Sequence, residues 1–220
     1  MPRLGTHWTI YFQGDSLMRT IAGLLGLSVI FLCAAFATPA DPNGLDSDGF
    51  VQKWLVLAPI PIPDGDTGSD ALSKQQIKDE ARLKPKPGDK LKVGSTELVW
   101  KAHTCTDHLL DFNAVLGAQT EDSVGYAVTF VSAPESMKDI KMKIGSDDQC
   151  KIWLNGKEVF KYSEERAAEK DQDTVTVGLQ KGVNVLVVKV VNVKADWSFC
   201  VRFTDKNDKP LTNLKASTAK

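Results

Sequence analysis

The chain predicts an all-β protein: an antiparallel β-sandwich with one short surface helix. Three observations carry that expectation. Segments alternating apolar and polar residues with period two recur at short intervals, separated by turn formers. Within residues 145–159 (GSDDQCKIWLNGKEV), Asn155-Gly156 supplies the tolerance of positive φ that a tight hairpin turn requires. No strand–helix–strand run of the kind that builds a parallel sheet occurs.

Taken in order, the apolar stretch 54–57 (WLVL) predicts a first strand. The three prolines at 59, 61 and 63 are expected to bar a regular ladder directly after it, because proline donates no hydrogen bond. Residues 64–70 (DGDTGSD) read as a solvated acidic turn. Residues 73–82 (SKQQIKDEAR) are the helix candidate, with Ser73 and Gln76 in a capping-box pattern. Residues 96–102 (TELVWKA) predict a strand carrying Trp100. Strands are further expected over 124–132, 139–144, 150–154, 157–162, 174–179, 183–193 and 196–204. The run 183–193 (VNVLVVKVVNV) is apolar on both faces, which suits the centre of a packed sheet.

The chain has 220 residues and a formal net charge of −1, with 42% hydrophobic and 25% charged residues. Such a balance provides no electrostatic footprint for nucleic acid or an anionic membrane surface. Met18-Arg19 followed by the apolar run 21–35 and Ala35-Phe36-Ala37 matches a signal peptide over 18–37, cleaved between Ala37 and Thr38. That run falls short of the roughly 20 apolar residues a spanning helix needs. Export to the periplasm or the extracellular space is therefore expected, with membrane contact only through the signal segment. Residues 1–17 read as an over-extended start or a tag-like segment. A linker over 38–50, a domain over 51–205 and a polar tail over 206–220 complete the expected organisation. After cleavage Cys105, Cys150 and Cys200 remain, so at most one internal disulfide can form; three buried thiols are the alternative.

Several stretches together resemble a family. The opening WLVLAPIP, the middle DFNAVLG with GYAVTFVSAPESMKDIKMKIGSDDQCKIWLNGKEVF, and the end DQDTVTVGLQKGVNVLVVKVVNVKADWSFCVRFTD are similar to exported bacterial β-sandwich modules found beside glycoside hydrolases and esterases. The resemblance implies a galactose-binding-like jelly roll. Residues 146–156 also resemble the acidic hairpin of the PA14 domain, whose sugar-binding members hold calcium on adjacent aspartates. Carried over, the calcium pair would be Asp147 and Asp148, although Gln149 stands where those members have glycine.

No nucleophile elbow, HExxH, P-loop or dinucleotide-binding glycine fingerprint appears, and a non-catalytic role is expected. His103, Cys105 and His108 invite a zinc reading, but one loop seldom furnishes a whole tetrahedral site. Binding is the expected function, with a polysaccharide or glycan as partner. Sugar sites use aromatic rings as apolar platforms beside polar side chains. The candidate residues are Asp147, Asp148, Trp153, Asn155 and Trp197, with Trp100 and Tyr162 as further rings. The same aspartates also fit a plain turn in which their carboxylates bond local backbone. The alternative function is an extracytoplasmic interaction or structural module that engages another exported protein and has no small-ligand site.

Overall fold

In a computed structural model, residues 43–220 are described. The expectations for the leading segment, the signal peptide and the first residues of the linker lie outside them. The strands, in chain order, are β1 (Lys53–Pro61), β2 (Lys90–Val93), β3 (Thr96–Val99), β4 (Lys101–Thr104), β5 (Leu110–Asp111), β6 (Ser123–Ala133), β7 (Met137–Asp147), β8 (Cys150–Leu154), β9 (Lys157–Tyr162), β10 (Asp173–Leu179), β11 (Gly182–Asn192), β12 (Ser198–Thr204) and β13 (Lys215–Ser217). Two short helices, α1 (Gly68–Ser73) and α2 (Phe112–Leu116), accompany them.

The strands form an antiparallel sandwich. The larger sheet runs β4-β1-β6-β11-β8-β9, with β13 also pairing with β6; the smaller runs β10-β7-β12-β5. The run predicted to lie at a sheet centre does so: β11 pairs with β6 along its whole length and with β8 on its other side. Its Leu186, Val188 and Val190 face the interior with Ile152 and Leu154. Met142 and Ile144 of β7 and Phe199, Val201 and Phe203 of β12 meet them from the smaller sheet. Period-two alternation puts Val185, Val187 and Val191 on the outer face instead. There a second apolar cluster forms with Tyr126, Trp153, Trp100, Leu72 and Ile77. The larger sheet is thus buried on both faces, which explains why its central strands read as apolar runs.

The segment between β1 and β4 covers that outer face, and here sequence and structure differ most. The helix expected over 73–82 is absent. In its place α1 occupies 68–73, capped reciprocally by Thr67 and Asp70 in the stretch expected to be a solvated turn. The chain cannot continue helically because Lys189 Nζ donates to the carbonyls of Leu72 and Lys74, at 3.2 and 2.6 Å. Those carbonyls would otherwise accept from the next turn. Asp79 then takes a left-handed φ of 55°, and a single 3-10 turn, Glu80–Arg82, follows. The strand expected over 96–102 is divided at the buried Trp100: β3 pairs with β2 in a separate hairpin, and β4 joins β1.

β1 runs on through Pro59 to Pro61, where the prolines were expected to end the ladder. The register slips between Leu57 and Ile60 and then resumes, with Pro61 opposite Ser123. The slip absorbs the missing donors. The expected linker and tail also belong to the domain. Gly44 bridges Lys215, Phe50 bridges Arg202, and Leu214 and Ala216 are buried. Among the described residues, the compact unit accordingly takes in the linker from residue 43 and the tail to Lys220. The second helix, α2, is bounded by Asp111, whose side chain accepts from Ala114 N, and by Gly117 in the left-handed conformation.

Candidate functional site

The β8–β9 hairpin turns at Asn155 (φ 53°) and Gly156 (φ 83°), as the Asn-Gly pair predicts. Antiparallel register then sets a row of polar side chains across the outer face of the larger sheet. Lys151 of β8 stands opposite Lys189 of β11, and Lys189 opposite Tyr126 of β6. Two ammonium groups side by side repel, and each has its own carboxylate. Lys151 Nζ lies 3.8 Å from Glu158 Oε2 on β9, and 5.5 Å from the centroid of the Trp153 ring. Lys189 Nζ lies 3.3 Å from Glu80 Oε2, and the Tyr126 hydroxyl donates to that same oxygen. Burial pushes the fully enclosed Lys189 ammonium down from its ordinary value, and Glu80 opposes that shift. Burial and then the Glu80 charge push the Tyr126 phenol up.

This buried network fixes Glu80, and with it the 3-10 turn that carries Arg82. The turn forms one wall of a trough whose floor is the β8–β9 hairpin. One part of the trough, about 370 Å³, is lined by Gln75, Asp79, Lys151, Trp153 and Glu158. The adjoining part, also about 370 Å³, is lined by Lys84, Gln180, Val183 and Val185. Both include Ala81, Arg82 and Gly156, so Arg82 stands at the waist. Hydrogen-bond donors and acceptors thus line a concavity of ligand size. Among the residues expected to bind, Trp153 and Asn155 lie here, in altered roles. Trp153 is 5% exposed and packs in the outer apolar cluster, so it does not present an open platform. The amide of Asn155 is committed to the fold, donating to Asn184 Oδ1 at 2.8 Å and accepting from Val185 N at 2.9 Å.

Asp147 and Trp197 meet elsewhere, at one end of the smaller sheet. Register places Asp147 of β7 opposite Ser198 of β12, and Ser198 opposite Asp111 of β5. These three and Asp196 line a cavity of about 270 Å³, closed on one side by Ala167 and Ala168. The covering loop lies close because residue 145 is glycine; a Cβ there would stand 1.9 Å from the Glu169 carbonyl oxygen. Burial, then the charges of Asp148 and Asp196, raise the Asp147 carboxyl to about 6. Trp197 has no exposed surface. Its ring stacks on Phe112 at 4.4 Å between centroids, and its indole nitrogen has no hydrogen-bond partner.

Asp148 is engaged by the backbone around it. Its carboxylate accepts from Arg166 N at 3.2 Å and Val193 N at 3.0 Å, while its carbonyl accepts from Ser146 Oγ. Arg166, held over the Tyr162 ring at 3.7 Å, closes the same corner by donating to Asp173 at 2.6 Å. The turn reading of this aspartate is the one the geometry follows. The residues do not fit the calcium pair carried over from the PA14 likeness: both Asp148 oxygens serve backbone donors. Among the described residues, no group of three or more His, Cys, Asp or Glu side chains is gathered to hold a metal ion. That statement covers His103, Cys105 and His108 as well.

Cys105, Cys150 and Cys200 are all free and buried. Burial raises each thiol, Cys105 to about 12 and Cys200 to about 11, so they pack as small apolar groups rather than as nucleophiles. Arg82, Glu80 and Lys189, which build the trough, were not among the predicted site residues.

Fold and site together define an antiparallel two-sheet β-sandwich with a polar trough on one outer face. No family model and no curated protein matches the chain.

Proposed function

We propose that the chain is an exported, non-catalytic β-sandwich module of the galactose-binding-like jelly-roll kind that binds carbohydrate in the trough beside the β8–β9 hairpin. One observation carries this reading: two neighbouring cavities, of about 370 Å³ each, share Ala81, Arg82 and Gly156 in their walls. An open-ended trough suits a chain of linked sugars. Amide, carboxylate and cationic side chains along it supply hydrogen-bond donors and acceptors for hydroxyls. The export part of the proposal rests on the leader pattern of residues 18–37.

The test is retention of the secreted chain on insoluble and immobilised polysaccharides, with and without a chelator. Retention that survives chelation and is reduced by Gln75→Ala and Glu158→Ala is the expected result. Retention lost on chelation would move the site to the Asp147 cavity. Absence of retention on every glycan would overturn the reading in favour of an interaction module.

A further inference from the structure

The two ends of the trough differ in charge. Toward Gln75 and Glu158 both signs are present. The other end presents Arg82 and Lys84 with the uncharged Gln180, above a floor of Val183 and Val185, and Lys220 also lines it. No acidic residue lines that end. Arg82 and Lys84 are exposed. Among the described residues, no carboxylate pairs with either side chain, whereas Lys189, Lys151, Arg166 and Arg202 all have carboxylate partners. Arg82 is nevertheless held in place. Its Cγ would stand 3.1 Å from a Cβ on Gly156, so the stem lies against the hairpin turn. Two residues earlier, Glu80 is locked by Lys189 and Tyr126. An unpaired guanidinium carried on an anchored turn, with its stem against the hairpin, is open to an oxyanion, which it can bind through two parallel hydrogen bonds. Val183, 42% exposed, adds an apolar surface beside it for the C–H face of a ring.

We propose that this end of the trough binds an anionic group, a carboxylate or sulfate ester, so that the glycan recognised is an acidic one. The inference rests on the carbohydrate reading above and names its ligand class. Arg82 contacts the anionic group directly, Lys84 adds charge at longer range, and the mixed end receives the neighbouring neutral hydroxyls.

Affinity electrophoresis of the full chain through gels containing polygalacturonate, a sulfated galactan, a neutral galactan or poly-glutamate tests the proposal. Retardation by one of the acidic glycans, exceeding that by the neutral galactan and by poly-glutamate, is the expected result. Which acidic gel retards more identifies a carboxylate or a sulfate ester as the group bound. Arg82→Gln is expected to weaken that retardation at least tenfold, because the charge-assisted pair of hydrogen bonds is lost. Arg82→Lys should restore it only in part, because the paired donors are gone. Asp147→Asn should leave it unchanged. Circular dichroism of each variant guards against a folding defect, since Arg82 is exposed and its replacement leaves the anchor intact. Equal retardation by the neutral galactan, or wild-type retardation by Arg82→Gln, would overturn the acidic-glycan inference while leaving a carbohydrate module standing. Poly-glutamate binding as strong as glycan binding would also overturn it, in favour of a general polyanion site. No retardation in any gel would overturn the carbohydrate reading itself.

Discussion

The two outer faces of the sandwich carry polar rows built by the same rule and resolved in opposite ways. On the larger sheet, Lys151, Lys189 and Tyr126 line up across three strands. On the smaller, Asp147, Ser198 and Asp111 do. Each row brings like charges together. The lysines are compensated one by one, Lys151 by Glu158 and Lys189 by Glu80. Among the described residues no cation pairs with the aspartates: Asp147 instead has Asp148 and Asp196 as its charged neighbours, and its carboxyl rises to about 6. Compensation needs elements that can bring a counter-charge: β9 brings Glu158 to Lys151, and the segment between β1 and β4, folded over this face, brings Glu80 to Lys189. The difference teaches that the covering segment is both the lid of the second apolar cluster and the arm that aims Arg82. Perturbing each row separates these roles.

The largest effect is expected at Lys189. Replacing it with Met leaves Glu80 buried beside Tyr126 without its cation, at a cost of about 3–5 kcal/mol. Urea unfolding should register that loss. The double variant Lys189→Met/Glu80→Gln removes both charges and should recover most of it. A single variant as stable as wild type would show that the ion pair does not anchor the segment, and the coupling between row and trough would fall with it.

Asp148 provides the middle step. Asp148→Ala strips acceptors from the backbone N–H groups of Arg166 and Val193, in a turn where Asp148 itself is 7% exposed. Two half-buried donors left without partners should cost about 2–3 kcal/mol. The same loss should be measured by urea unfolding with and without added calcium. A stability that rose with calcium in wild type and not in the variant would restore the metal reading of the acidic hairpin.

Much of the sandwich was legible because burial dictates period. Ile140, Met142 and Ile144 alternate with Lys141 and Lys143, and they do so because one face meets the core. The Asn155-Gly156 turn was legible because few other pairs accept its φ angles. The covering segment was not. Its local signals favoured a helix over 73–82, and the decision was made by Lys189, more than a hundred positions away, taking the carbonyls of Leu72 and Lys74. The clue lay in β11 itself. A lone lysine inside VLVVKVV has to find an anion once the strand is buried, but the identity of that anion is a tertiary fact. The site residues depend on tertiary structure in the same way. Residue type near the hairpin suits binding, but Trp153, Trp197, Asn155 and Asp148 also serve the packing and hydrogen bonding of the fold. Only Asp147 kept a carboxylate facing a cavity.

The smallest effect is expected at Asp147, and its sign is opposite to the others. The carboxyl titrates near 6 in the folded chain, above the ordinary value of 3.8. Between about pH 4 and pH 6 the folded state therefore holds more protons than the unfolded state, and stability falls as pH rises through that window. Above it the penalty is constant. Asp147→Asn keeps an acceptor for the backbone while removing the charge. The variant should match wild type at pH 4 and exceed it by about 1–2 kcal/mol at pH 7. Thermal or urea unfolding at the two pH values reads this directly. Equal stability at both would mean that Asp147 is solvated like any surface carboxylate. Lower stability of the variant at pH 7 would mean that the row on the smaller sheet has found a cation after all, and the contrast between the two faces would disappear.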